Sequence, residues 1–362
     1  MSEAAPAGGR TVRSWPITVR RARPDDKAAV LSFATRTWDD WDYIPQVWDR
    51  WLAASDGVML VATVRGADAD ANGSSLPADL PVAFTRLARL SPDEMWLEGI
   101  RVDPRVRGLG VATDLQVAEL HWAAAHGTRV IRYVTGQDNE GSRKLGAKHG
   151  FAVVGWLRSY GHDESLAAAV PSDPVEATGV RALGGSADLG AWWRALERDP
   201  TFRQGCGLYE SRSWAFRELT EDRFWRHAAE GRVIVGEDAE SAPQPGPSER
   251  WALAILRPGP EGEDDADAPV PPALVAGDGH LMLRILASLG NGRPGVPSAR
   301  LPDPSMLSEP RLAAAWADAG WQPHDRATIV LECRLAGRPL PEVDAAALEL
   351  QDKPQEVAQS PD

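Results

Sequence analysis

The stretch Glu98-Gly-Ile-Arg-Val-Asp-Pro-Arg-Val-Arg-Gly-Leu-Gly-Val-Ala-Thr-Asp-Leu115 constrains this chain more than any other. An apolar strand pattern from Trp96 to Val102 leads through a short Gly- and Arg-rich turn into a helical pattern that begins near Val111. The first N–H groups of a helix have no intrahelical partner, and the dipole places partial positive charge there. A glycine-rich turn feeding such an end is an anion site. Gly108 and Gly110 carry no Cβ, so the backbone can approach a phosphate closely. Arg105 and Arg107 add full positive charge at the same place. The residues alone predict a site for a phosphorylated cofactor.

The spacing Arg107-x-x-Gly110-x-Ala112 resembles the Arg/Gln-x-x-Gly-x-Gly/Ala signature of the GNAT (GCN5-related) N-acetyltransferases. A second stretch, Asn139-Glu-Gly-Ser142-Arg-Lys-Leu145-Gly-Ala-Lys148-His-Gly150-Phe151, resembles that family's other cofactor element, Asn-x-x-Ala-x-x-Leu-Tyr-x-x-x-Gly-Phe. The resemblance implies an α/β (α+β) fold, a mixed, mostly antiparallel twisted sheet flanked by helices, with acetyl-CoA as cofactor. It implies that Arg105, Arg107, Gly108, Leu109, Gly110, Val111, Ala112 and Thr113 hold the pyrophosphate. In the family the fourth strand splays from the fifth and offers backbone groups to the pantetheine and thioester. By position, Ile100, Arg101 and Val102 line the arm, and the Ile100 N–H polarises the thioester carbonyl. Asn139 hydrogen-bonds the arm and caps its helix, with Ser142 beside it; Arg143 and Lys144 meet the nucleotide's 3′-phosphate or form a solvated helix face.

Glu98 is the candidate for binding and deprotonating an acceptor amine, because a carboxylate on an apolar strand is costly to bury without work or a partner. Burial would raise its pKa toward that of a useful base. Glu-Gly-Ile-x-Val before the turn resembles the aminoglycoside-type members; the histone-type base position is Trp96 here. The alternative for Glu98 is a plain ion pair with Arg86 or Arg101. The chain departs from the family at Gly146, which stands where a Tyr protonates the leaving thiolate; Ser142, Tyr133, Tyr160 or water are the substitutes.

The resemblance therefore implies direct transfer of acetyl to a primary amine, on a small molecule or a peptide. Two other readings remain: a non-catalytic acyl-CoA-binding or scaffold protein, which Gly146 favours, and a nucleotide-binding oxidoreductase. The latter is disfavoured because Gly108-x-Gly110 is followed by Thr113 where a dinucleotide fingerprint has its third glycine.

With 362 residues, the chain is long enough for two domains. No apolar run reaches the length of a membrane span, and the N-terminus lacks an apolar signal core, so a cytoplasmic protein is expected. Two cysteines, Cys206 and Cys333, make no disulfide framework; no metal-ligand spacing links His121, His126 and His149. The formal net charge of -13 is uneven: residues 1–164 hold 20 Lys+Arg and 21 Asp+Glu, and 165–362 hold the remaining 19 and 31. The turn-bearing half can accept a polyanion, while the acidic half argues against nucleic acid as partner. The tryptophans Trp38, Trp41, Trp48 and Trp51 read as core or interface rather than a cation-binding wall. A monomer or homodimer is expected.

Helix and strand periods alternate through the first half as β-α-α-β-β-β-α-β-α-β. The second half repeats this faintly: Val180-Arg181 echoes Val19-Arg20, and Gly320-Trp321 echoes Gly150-Phe151. The expectation is two tandem GNAT folds: a flexible N-terminus 1–15, a cofactor-binding domain 16–165, a degenerate second domain 176–337 and a short helical or disordered tail 338–362. Where the second copy would carry its turn it has Val275-Ala-Gly277-Asp278-Gly279-His280, and Asp278 would repel a pyrophosphate.

Overall fold

The computed structural model describes residues 16–35, 37, 41–64, 76–162, 179–185, 187–237, 246–257, 272–289, 299–302, 321–323, 325–342 and 348–349. The N-terminal arm, Trp38, the acid-rich loop 261–267, the stretch ending at Gly320 and the last residues of the tail lie outside them. The chain divides into two compact units: residues 1–131, 147–150 and 333–362 form unit 1, and residues 132–146 and 151–332 form unit 2.

In unit 1, β1 (Ile17–Arg21) is followed by a 3-10 turn at Pro24–Asp26 and helix α1 (Lys27–Leu31), then α2 (Ile44–Ala53). Strands β2 (Gly57–Val64), β3 (Pro81–Ser91) and β4 (Glu94–Val102) follow, and then α3 (Val111–Ala125). The antiparallel ladder runs β1-β2-β3-β4. Side chains alternate across it. Phe84 points to Trp48 of α2, while its neighbour Thr85 points to α3. Val30, Ile44, Trp48, Trp51, Met59, Val61 and Phe84 form the core on the α1–α2 face. Within the segment expected to be a helical or disordered tail, Leu348–Glu349 instead pair in parallel with β1. The free edge of β1 recruits them, which no local pattern announces.

β5 (Val130–Gly136) and α4 (Glu140–Lys148) come next in the chain, then the long β6 (Ala152–His162). Within unit 2 the succession is β7 (Val180–Ala182), α5 (Leu189–Arg198), α6 (Pro200–Gln204), the hairpin β8 (Leu208–Arg212) and β9 (Ala215–Glu218), and α7 (Glu221–Ala229). Then come β10 (Val233–Glu237), β11 (Trp251–Ile255), β12 (Leu274–Gly277) and α8 (Gly279–Ser288). β7, β10, β11 and β12 pair as an antiparallel sheet in the order 12-11-10-7. Alternation again sorts the side chains: Val233, Val235, Leu253 and Ile255 pack with Trp192, Trp193 and Phe224, while Ala252, Ala254 and Val275 pack with Leu281, Met282 and Ile285 of α8.

β6 is shared by three further strands. Its second half pairs with β13 (Ala299–Pro302) and β14 (Trp321–Pro323). Its first half pairs with β15 (Thr328–Arg334), which lies between β6 and β5 in the strand order. A strand that begins at residue 328 thus pairs with one that begins at residue 152. Sequence periodicity marks 328–334 as a strand but says nothing of its neighbour.

Candidate functional site

The turn after β4 is built from its own residues. Asp103 caps the 3-10 turn Pro104–Val106 by accepting from the Arg105 N–H at 2.9 Å. The Arg105 guanidinium folds onto the same carboxylate, with Nη2 2.5 Å from Oδ2. Burial by itself would raise the Asp103 pKa, but the hydrogen bonds and charge of Arg105, aided by Arg107, hold it below the usual carboxylate range. Arg107 donates to the Val102 carbonyl at 3.3 Å, and no carboxylate is bonded to it among the described residues. Gly108 and Gly110 have φ of 78° and 83°, the left-handed region where a Cβ is strained. Gly110 stands at the N-cap of α3, its carbonyl accepting from Thr113 and Asp114. The N–H groups of Gly108, Val111 and Ala112 meet no acceptor among the described residues. Leu109 closes the turn by donating to Val106. Lys148 reaches the Thr113 hydroxyl at 3.4 Å.

Before this turn β4 carries a β-bulge. Phe84 faces Arg101 and Arg86 faces Glu98, so Gly99 and Ile100 together oppose the single residue Thr85. Gly99 has φ 76°, and a Cβ there would lie 2.7 Å from the Trp51 ring. Glu98, on the α2 face, is ion-paired with the buried Arg86, which also holds Asp56 and lies 5.2 Å over the Trp51 ring. The Asp56 link and the ring have no signature in the sequence. Arg101 points its guanidinium to Asp42 (Nε–Oδ2 2.8 Å) and over the Tyr43 ring at 5.4 Å. Burial would raise Asp42, but Arg101, Thr37 and the Ile44 N–H overcome this and lower it. Of the tryptophans, Trp48 and Trp51 are buried, whereas Trp41 is 56% exposed with its ring 6.4 Å from Tyr43.

On the other face of β3, the Thr85 hydroxyl donates to Glu119 of α3 at 2.6 Å. Glu119 is fully buried, and burial pushes its pKa up to about 8, against a smaller opposing effect of the Thr85 bond. Sequence reasoning passed over this acid, although a lone Glu in Leu115-Gln-Val-Ala-Glu-Leu-His-Trp122 was visible. Its folded pKa exceeds the unfolded 4.5. Folding must therefore take up a proton between pH 4.5 and about 8, and stability falls as pH rises through that window. Glu119→Gln keeps a partner for Thr85 and removes the penalty. The variant is expected to match the wild type near pH 4 and to exceed it by a few kcal/mol above pH 8, since each tenfold change in proton affinity is worth about 1.4 kcal/mol. Urea titrations across pH check this.

In unit 2, Asn139 caps α4 by accepting from the Ser142 N–H at 3.1 Å, and Arg143 donates to the Gln137 carbonyl at 3.0 Å. At Gly146 a Cβ would collide with the Tyr133 hydroxyl, which donates to the Ser142 carbonyl at 3.0 Å. The phenol that the helix lacks is thus brought to it by β5. Tyr160 is instead packed in the cluster around α8. At the start of α8, Asp278 accepts from the N–H groups of His280 and Leu281 and pairs with Arg250. The helix end is satisfied by the chain's own carboxylate. His126 stacks on Trp122, His149 bonds Gln116, and His121 bonds the Pro341 carbonyl. Cys333 is buried and Cys206 exposed.

A mixed α/β architecture of twisted, mostly antiparallel sheets, with a bulged strand running into a glycine turn, is the frame in which comparison becomes informative. Residues 21–151 match the model of the acetyltransferase (GNAT) family, whose members are acyltransferases using acetyl-CoA. Among solved structures, a GCN5-related N-acetyltransferase from Sphaerobacter thermophilus is 14% identical, covering 91% of this chain and 98% of that one, with a TM-score of 0.48. Ard1 from Thermoplasma volcanium is 24% identical over 39% of this chain and 86% of its own, with a TM-score of 0.31. A GNAT family acetyltransferase from Elizabethkingia anophelis with acetyl-CoA bound is 15% identical, covering 39% and 78%, with a TM-score of 0.28. No curated protein matches. Among the described residues no helix is long and apolar enough to cross a membrane.

Proposed function

We propose that this protein is an N-acetyltransferase that moves acetyl from acetyl-CoA to a primary amine of a small molecule or peptide by direct attack. The observation that carries the reading is the turn 105–113: three backbone N–H groups without acceptors among the described residues, two left-handed glycines and the Arg107 guanidinium at one helix end. That is the donor set a diphosphate requires. Bound acetyl-CoA supplies the activated acyl group and a thiolate leaving group. The residues of this chain do the rest. Arg107, with the amides of Gly108, Val111 and Ala112, grips the diphosphate, and Arg105 acts by holding Asp103 and so shaping the turn. The bulge sets the Ile100 amide to polarise the thioester carbonyl, and Arg101 and Val102 continue the strand that lines the arm. Glu98 orients the acceptor amine, its charge anchored by Arg86. The resemblance assigns Asn139, Ser142 and Arg143 to the cofactor, and within unit 2 the Tyr133 phenol stands where Gly146 leaves room for it.

The order β-α-α-β-β-β-α in 17–125 returns in 180–288 with β8, β9 and α7 inserted after its second helix, which supports a duplication with a first repeat 16–165 and a degenerate second GNAT repeat 176–337. Unlike the first copy, α8 meets Asp278 instead of open amides, which supports one cofactor site per chain. A cytoplasmic monomer or homodimer is the setting we infer.

Calorimetry with acetyl-CoA and with NAD tests the cofactor assignment. Arg107→Glu is expected to weaken acetyl-CoA at least tenfold, or about 1.4 kcal/mol, with NAD binding neither form. Unchanged affinity would remove the assignment. Thiol release with a panel of amines tests turnover. Glu98→Gln should lose most of it while keeping cofactor affinity. The second reading, an acyl-CoA-binding protein without turnover, is favoured by Gly146, and it predicts tight binding with no thiol release from any amine.

A further inference from the structure

The Thr85 hydroxyl stands between two oxygens: Glu119 Oε1 at 2.6 Å and the Glu98 backbone carbonyl at 3.4 Å. A hydroxyl has one proton to donate and can accept as well. Thr85 is also the β3 residue that the two bulge residues, Gly99 and Ile100, oppose. We propose that Glu119, Thr85 and the Glu98 carbonyl form a proton-dependent hydrogen-bond chain that sets the shape of the β4 bulge, which makes Glu119 a positioning residue for the Ile100 amide.

The chain has two states. With Glu119 protonated, its O–H donates to Thr85 Oγ1, and the Thr85 proton is free to hold the Glu98 carbonyl. With Glu119 ionised, the carboxylate accepts a hydrogen bond from the Thr85 O–H, and the Glu98 carbonyl loses that one donor. No proton leaves the pair Thr85–Glu98 in the exchange; the hydroxyl rotates, and the proton lost by Glu119 goes to solvent. Complete burial holds the carboxyl neutral at pH 7. On the strands packed under α3, Arg20 is held by Asp26 and Asp79, Arg86 by Glu98 and Asp56, and Arg101 by Asp42. On α3 itself Gln116 is taken by His149. None of these groups is bonded to Glu119. A buried acid with no ion partner is a poor device for stability. Its location directly beneath the bulge gives it work.

This inference rests on the reading of β4 as the thioester-binding edge, but its test does not require acetyl transfer. Amide hydrogen exchange of the full chain without cofactor is followed in peptides covering 98–101, well below and well above the Glu119 titration and corrected for intrinsic rates. The wild type is expected to lose roughly tenfold protection at high pH, the loss of one hydrogen bond of about 1.4 kcal/mol. Glu119→Gln, which donates its amide N–H permanently, should stay protected at both pH values. Thr85→Val should be unprotected at both while β2 remains as protected as in the wild type, and Thr85→Ser should restore the wild-type response. A Glu119→Gln protein that loses protection like the wild type, or a Thr85→Val protein that keeps it, overturns the proposal. If the exchange pattern holds and no amine gives thiol release, the positioning chain stands and the acetyltransferase reading fails.

Discussion

Gly99→Val is expected to destabilise the protein by about 2–5 kcal/mol and to remove acetyl transfer from the molecules that remain folded. Two costs add. The residue has φ 76°, where an L side chain loses about 1–2 kcal/mol. Its Cβ would lie 2.7 Å and 3.1 Å from two atoms of the Trp51 ring. That ring has little room to retreat: it is buried, the Tyr43 ring meets it edge-on at 5.9 Å, and the Arg86 guanidinium lies over it. Overpacking of this kind costs about 1–3 kcal/mol. Relief by backbone movement would flatten the bulge and return Ile100 to an ordinary register, which is why activity should fall further than stability. Urea titrations at constant m-value give the first number. Thiol release at a temperature where the variant is folded gives the second. A variant within about 1 kcal/mol of the wild type with full turnover would show that the bulge has no role.

The second large effect concerns β15. A chain ending after residue 165, the boundary a one-domain reading of the first half suggests, is expected not to reach a cooperatively folded state. Such a chain lacks Thr328–Arg334, whose Ile329, Val330 and Leu331 are buried and whose backbone pairs with Ala152–Leu157. Burial of three such side chains is worth about 1.5–3 kcal/mol each. The sum, about 5–9 kcal/mol, is comparable with the whole stability of a typical domain, about 5–15 kcal/mol. The truncation also opens the strand edges of β5 and β6, so aggregation should accompany the loss. Circular dichroism melts and size-exclusion of 1–165 against the full chain decide this. A sharp two-state melt of 1–165 as a soluble monomer would refute the expectation.

Much of the first half was legible from residues alone because its signals are local. The turn 103–113 announces itself through Pro104, the paired glycines and the arginines. The limits of α2 and β2 follow from tryptophan spacing and an unbroken apolar run. Asn139 reads as a cap because capping is a three-residue event, and it is one. The hairpin at 208–218, by contrast, carries no turn signature stronger than Trp214 at φ 57°, and went unseen.

The charge partners were legible only as choices. Glu98 could have met Arg86 or Arg101, which lie on neighbouring strands. The register shift at the bulge turns Glu98 to Arg86 and sends Arg101 to Asp42 instead. Tyr133 was one of three candidates for a missing phenol. Its selection depends on β5 and α4 being packed until Gly146 leaves room for one hydroxyl.

Local order, the anion-binding turn and the cofactor class were set by the sequence itself, since each depends on groups within a few residues of one another. The neighbours of β6, the pairing of residues 348 and 349 with β1, the burial of Glu119 and the partners of Arg86 and Arg101 were decided by tertiary structure. Backbone hydrogen bonds are identical from strand to strand, and a guanidinium accepts any carboxylate in reach. Only the packed fold determines which of them are close enough to meet.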